Sequence, residues 1–198
     1  MSRTHAHAVI RKLIPLAVAV LALGGVALPN ATVAASTGES VTNVRDSTVI
    51  FNDPAAALAA GYELATDLAD LACIDQPGAG AMGIHFRNSA LVQSGTIDAA
   101  RPQALVYQRT GDGRLRLGAV EYIVLRADWD ASHSSPPSLF GETFMPMPAE
   151  NRFGWPPFYQ LHAWVWQANP SGMFSMWNPG VTCTPNPNEA DLPADQHG

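Results

Sequence analysis

Polar and apolar positions repeat in a few segments of the chain, and these predict more strand than helix. Apolar residues at helical spacing over 53–71 predict one helix, which Asn52 or Asp53 can cap with Pro54 in its first turn. Gly61 can break this helix into two pieces. We expect its solvated side to carry the acidic residues Glu63, Asp67 and Asp70.

Runs of β-forming residues over 104–109 and 115–126 predict a hairpin, because Gly111-Asp112-Gly113 between them tolerates positive φ. Alternation on the second strand places Glu121 in an apolar stripe with Leu115, Leu117, Ala119, Ile123 and Leu125. An uncompensated buried charge costs several kcal/mol. The Glu121 carboxyl must therefore be paired, bound to a cation or protonated.

Two further strands each carry a central histidine. One contains Ile84-His85-Phe86, and the other runs over 158–167, where alternation groups His162 with Phe158, Gln160, Trp164 and Trp166. A glycine-rich segment precedes His85 and formally matches a dinucleotide-binding fingerprint at Gly78, Gly80 and Gly83. No helix pattern follows it, so we interpret it as a turn. The Pro- and Gly-rich segment 132–155 shows little periodicity and predicts a long loop.

Composition restricts the class of protein. The chain has 198 residues, 47% of them hydrophobic and 14% charged, with 16 Gly, 16 Pro and two Cys. These values exclude a disordered chain, a disulfide scaffold and a coiled coil, and the length suggests one domain. The net charge of −6 argues against a nucleic-acid partner, which needs a basic face.

The N-terminus has the order of a signal peptide. Arg3, Arg11 and Lys12 precede an apolar run over 13–28, and small residues follow at Val33, Ala34 and Ala35. We predict a cleaved signal peptide over 1–35 and no stable membrane span after processing; the alternative is an uncleaved anchor. Cleavage would leave a mature chain with a net charge of −9 and no lysine. It also predicts a secreted or cell-envelope location.

The predicted export has consequences for the pairing of the cysteines and for the limits of the folded domain. Cys73 and Cys183 would both remain in an oxidising compartment, which predicts a disulfide between them. We predict a linker over 36–52, one globular domain over 53–184 and a disordered tail over 185–198. The predicted fold is α+β: an N-terminal helix packed on a mainly antiparallel sheet or small barrel.

His85, Glu121 and His162 form the candidate site. Neutral imidazoles and a carboxylate are common ligands of zinc, iron and manganese, so these three side chains could hold one divalent ion if their strands share a sheet. Two alternatives stay open: a buried hydrogen-bond network, and acid–base chemistry without a metal.

Aromatic residues concentrate around His162. Trp164, Trp166 and Trp177 could line a pocket for a small flat ligand beside it. The alternative is a structured turn whose rings pack on the core.

The blocks GAMGIHF, GAVEYIV, PPSLFGETF and FYQLHAWVWQANPSGMFSMWNPGVTC resemble those of a family of exported bacterial proteins without an assigned function. The resemblance runs from about Asp53 to Cys183, and Cys73, His85, Glu121, His162 and Cys183 fall on matching positions. It implies an exported single domain and carries over no activity and no ligand. The candidate site itself leads us to expect a binding protein, with a metal-dependent enzyme or a structural envelope protein as the alternatives. The sequence does not predict the oligomeric state.

Overall fold

A computed structural model describes residues 37–183, with side chains from residue 41 onward. All of these residues belong to Ala34–Gly198, the second of two units into which the chain divides. The predicted signal peptide over 1–35 and the predicted tail over 185–198 lie outside the described residues.

The predicted α+β class is confirmed: short helices accompany a mainly antiparallel sheet. The helices are α1 (Thr37–Thr48), α2 (Pro54–Ala59), α3 (Ser89–Gln93) and α4 (Arg126–Asp130), with a 3-10 helix over Val49–Asn52. The strands are β1 (Glu63–Ala65), β2 (Cys73–Gln76), β3 (Gly80–Arg87), β4 (Ala104–Arg109), β5 (Leu115–Leu125), β6 (Ser138–Leu139), β7 (Glu142–Thr143), β8 (Met145–Met147) and β9 (Phe158–Ala163). The main sheet has the order β1-β3-β4-β5-β9-β8, β2 also pairs with β3, and β6 pairs with β7.

Helix α1 occupies part of the segment that the sequence analysis interpreted as a linker, so that interpretation is wrong for 37–48. Val41, Val44 and Thr48 recur every three or four residues, which places them on one helix face, and all three are buried. The Thr48 hydroxyl donates to the Val44 carbonyl and accepts from the indole of Trp166. The polar composition of this segment concealed a narrow apolar stripe.

Helix α2 begins as predicted and ends early. The Asp53 carboxylate accepts from the amide of Ala55 at 3.0 Å and caps the helix. Gly61 adopts φ +84°, which ends the helical course, and the chain then pairs as β1 against β3. The predicted helix over 53–71 is therefore wrong beyond Gly61: 63–65 pair with β3, and 66–72, which include Leu68 and Leu71, form a loop.

Asp67 also departs from its predicted solvated position. It lies in the loop between β1 and β2, its side chain is only 5% exposed, and its carboxylate accepts from Arg152 Nη2 at 2.6 Å. The amide of Leu68 donates to the Arg152 carbonyl at 3.0 Å. These bonds fasten this loop to the segment that precedes β9.

The sheet has two distinct faces. The face that carries Phe86, Leu105, Tyr107 and Tyr122 packs with residues of α1 and α2 in the hydrophobic core. We call the opposite face, which carries His85, Ala104, Glu121, Ile123, Gln160 and His162, the site face.

A register shift in the hairpin corrects one predicted face. Val106 pairs with Ala119, but the next residue, Tyr107, pairs with Leu117, so Gly118 is an extra residue in β5. Leu117 therefore shares the core face with Tyr107. Leu115 follows it there, and neither lies beside Glu121 as predicted.

The C-terminal segment is fastened to β2 and β3. Cys73 and Cys183 form the predicted disulfide, with Cα atoms 5.5 Å apart. Ala81 pairs with Asn178 in an isolated bridge, and a Cβ atom at Gly80 would lie 2.1 Å from the Asn178 carbonyl oxygen. Gly80 is thus required for this close approach.

Candidate metal centre

Three strands bring the candidate residues together. His162 on β9 pairs directly with Glu121 on β5, and Glu121 pairs with Ala104 on β4. His85 on β3 pairs with Val106, two residues along β4 from Ala104. Because the Ala104 side chain is small, it leaves space on the site face for the His85 ring to extend diagonally toward Glu121.

The spacing of the three side chains exceeds hydrogen-bond length. His85 Nε2 lies 3.6 Å from Glu121 Oε2, and His162 Nε2 lies 3.9 Å from Glu121 Oε1. One potential ligand atom from each residue lies within 4.8 Å of the other two. Ligand atoms bonded to one ion at about 2.1 Å are roughly 3.4 to 3.6 Å apart at tetrahedral to trigonal angles. The separation of 3.6 Å between His85 and Glu121 matches that of two ligands on one cation, and the separation of 3.9 Å between His162 and Glu121 is slightly longer.

All three side chains are buried, and the two imidazoles lack hydrogen-bond partners among the described residues. His85 and Glu121 are each 5% exposed and His162 is 3% exposed. Among the described residues, no hydrogen-bond partner is present for either ring nitrogen of His85 or of His162. A buried polar atom without a partner costs about 1 to 3 kcal/mol, so four such atoms at one place need an explanation.

Burial controls the ionisation of the site. Desolvation raises the pKa of Glu121 to about 8 and lowers the pKa of His85 to about 4. It also holds the pKa of His162 well below the usual value, and the nearby His85 adds to that shift. A backbone group of Gly83 near the ring raises the pKa of His85 and so opposes the effect of burial, but it is not placed for a hydrogen bond. Without a bound ion, all three groups are therefore neutral at pH 7.

One side of the cluster is filled by aromatic side chains. Phe153, Trp155 and Phe158 line the space next to His85 and Glu121, and a cavity of only about 10 Å³ remains there. The Arg87 guanidinium lies 4.3 Å from the centre of a Trp155 ring. This side has no room for a ligand larger than a water molecule.

The other side opens into a larger cavity. A space of about 90 Å³ adjoins His162 and is also lined by Gln160, Met145 and Met176, with an exposed acidic residue, Glu142, at its edge. Gln160 Nε2 lies 4.0 Å from Met176 Sδ. Water or a small molecule can approach His162 from this side, whereas His85 and Glu121 do not line this cavity.

The three predicted pocket tryptophans do not lie together around either cavity. Trp164 is buried, its ring centre is 5.8 Å from that of His162, and its indole donates to the Ser175 carbonyl at 2.7 Å. Trp166 instead contacts Thr48 of helix α1, and Trp177 is half-buried. Strand β9 ends at Ala163, so the predicted alternation does not extend to these residues.

Sequence reasoning missed most of the residues around the cluster. Met145 lies on edge strand β8, within the predicted long loop, and Met176 lies in an irregular segment after β9. Phe153 and Trp155 also come from irregular segments. The neighbours with a usable signal were Phe158 and Gln160, which alternate with His162, and Ile123, which alternates with Glu121.

Comparison of the chain with protein-family models, curated proteins and solved structures finds no match. Among the described residues, no helix has both the length and the apolar character needed to cross a membrane.

Proposed function

We propose that this protein binds one divalent transition-metal ion through His85, Glu121 and His162. The observation that carries the proposal is the convergence of two imidazoles and one carboxylate, all buried, at distances too long for hydrogen bonds. Zinc, iron and manganese all accept this donor set.

A bound cation would account for features that are costly without it. It would occupy a ring nitrogen of His85 and one of His162, and its positive charge would stabilise the Glu121 carboxylate in surroundings that otherwise favour the protonated form. The burial that keeps both imidazoles neutral also keeps them in the form that binds metals. Metal binding at neutral pH would then release the Glu121 proton.

The geometry favours this proposal over a buried hydrogen-bond network. A network would place at least one imidazole nitrogen within about 3.2 Å of the carboxyl oxygens, whereas the shortest separation is 3.6 Å. At this separation no hydrogen bond joins the carboxyl group to an imidazole, so a proton has no direct path between them, which disfavours acid–base chemistry without a metal.

A metal-dependent enzyme is the second candidate, and the cavity of about 90 Å³ beside His162 favours it. Three protein ligands leave a coordination position open, as in catalytic zinc sites, and water in that position becomes a stronger acid. The cavity would hold such a water molecule and a small substrate.

We also propose that the protein works outside the cytoplasm, as the family it resembles does. The disulfide between Cys73 and Cys183 is typical of proteins in an oxidising compartment. The N-terminal sequence has basic residues followed by an apolar run, which agrees with export.

The test is the metal content of mature protein purified without an affinity tag or a chelator, then dialysed against zinc. We expect about one ion per chain in the wild type and less than a tenth of that in His162→Ala and Glu121→Gln. His133→Ala is the matched control, because His133 is exposed and stacks on Trp129 with ring centres 3.8 Å apart. A metal-free wild type, or folded His162→Ala that keeps its metal, would overturn the proposal; circular dichroism establishes that each variant is folded.

A further inference from the structure

Two hydrogen-bonded residues locate the segment around Ser175 relative to His162. The Ser175 carbonyl accepts from the indole of Trp164, and the next residue, Met176, places its sulfur 4.0 Å from Gln160 Nε2. Trp164 and Gln160 lie two residues on either side of His162. The segment therefore crosses beside His162, and Met176 lines the same cavity as this histidine.

A second methionine lies at the same cavity. Met145 pairs with Gln160 in the β8–β9 ladder, which places it on the site face, and it is 51% exposed. An exposed methionine has no packing reason to be there. The cavity thus presents two thioethers beside one imidazole, with one of them accessible from solvent.

Thioether sulfur discriminates among metals. It is a soft donor that suits copper(I) and contributes little to the binding of zinc or manganese. Copper(II) in turn accepts imidazole and carboxylate and lies at the top of the stability order for divalent ions of the first transition row. A site with two imidazoles, one carboxylate and one thioether can therefore hold copper in both oxidation states.

We infer that the metal of this site is copper and that Met176 supplies a thioether ligand in addition to His85, Glu121 and His162. The inference rests on the proposed metal site and names its ion. The methionine-lined cavity adjoins His162, whereas the space beside His85 and Glu121 is filled by Phe153 and Trp155, so a fourth ligand would approach the ion from the side of His162 and Met176. Met145 at the solvent edge is the first sulfur that an arriving copper(I) ion meets.

The experiment titrates the complete mature protein with copper(I) under anaerobic conditions, in competition with a chromophoric copper(I) chelator. The same samples are titrated with zinc in parallel. Met176→Leu removes the sulfur and keeps the approximate volume. Met173→Leu is the matched control, since Met173 is an exposed methionine of the same segment and does not line the cavity.

We expect Met176→Leu to weaken copper(I) binding at least tenfold and to leave zinc binding within about twofold, while Met173→Leu changes neither. X-ray absorption of the copper(I) protein should show a copper–sulfur distance that Met176→Leu abolishes. Equal copper(I) affinity in Met176→Leu, or a wild type that binds zinc but not copper, overturns this inference and leaves the metal site standing. A wild type that binds neither ion overturns both.

Discussion

Glu121 is the residue on which the properties of the metal-free site depend, because it is buried between two imidazoles and hydrogen-bonded to neither. Its apolar neighbours on β5 identified it in the sequence, and the two histidines were identifiable from their central places in strands. The distances among the three were not predictable, since they depend on the pairing order of β3, β4, β5 and β9.

We expect the metal-free protein to be most stable near pH 6 to 7, with losses on both sides. As the pH rises, the unfolded chain ionises Glu121 around 4.5, whereas the folded protein retains that proton up to about 8, so stability falls. As the pH falls below 6.5, His85 and His162 become protonated in the unfolded chain. In the folded protein both histidines stay neutral to a lower pH, which is about 4 for His85, so stability again falls.

On each side of this optimum the unfolding free energy changes by roughly 1.4 kcal/mol per pH unit, which corresponds to a net difference of one bound proton between the folded and unfolded states. Urea unfolding in the presence of a chelator measures this slope. Glu121→Gln should abolish the loss between pH 6.5 and 8 and should steepen the loss below pH 6.5 to about two protons, because Glu121 no longer offsets one of the two histidines. The same slope above pH 6.5 in both proteins would show that Glu121 is not the group responsible.

At the scale of elements, the packing of the C-terminal segment on β3 depends on Gly80, and Gly78 provides a matched control. Gly78 and Gly80 both have positive φ, but a Cβ atom at Gly78 meets nothing within 4 Å, whereas one at Gly80 meets the Asn178 backbone. We expect Gly78→Ala to cost about 1 to 2 kcal/mol from its φ alone. Gly80→Ala should cost roughly 2 to 5 kcal/mol, because overpacking adds to that strain.

Urea unfolding of the two variants measures this difference directly. Equal destabilisation would mean that the contact between Gly80 and Asn178 contributes nothing beyond the backbone conformation.

Elements with a strong local pattern were predictable, and elements decided by distant pairing were not. The β4–β5 hairpin has two β-forming runs around a glycine-rich turn, so its existence and approximate limits followed from the sequence. The bulge at Gly118 was not predicted, although an isolated glycine within a strand often marks one. Strand β1 was hidden within an apparent helix, because its pairing with β3 outweighs local helical spacing.

At the scale of the whole molecule, the disulfide closes a loop that contains every described strand except β1, since its cysteines are 110 residues apart. The Cys73→Ala, Cys183→Ala double variant should lose about 4 to 5 kcal/mol of unfolding free energy, because its unfolded chain is no longer constrained. Metal stoichiometry should be unchanged in the folded variant, because the three ligands lie on strands held by their own ladders. Urea unfolding and metal analysis together check this; a folded variant without metal would contradict it.

The proposed export is consistent with the disulfide between Cys73 and Cys183. We propose that one metal ion lies within the sheet, among His85, Glu121 and His162. Anomalous X-ray diffraction from crystals of metal-loaded protein, with data on both sides of the copper and zinc absorption edges, tests this most directly. We predict one strong peak within about 2.3 Å of one nitrogen of each histidine and one Glu121 oxygen. A map without a peak there, with the Glu121 carboxyl hydrogen-bonded to either imidazole, would contradict the account.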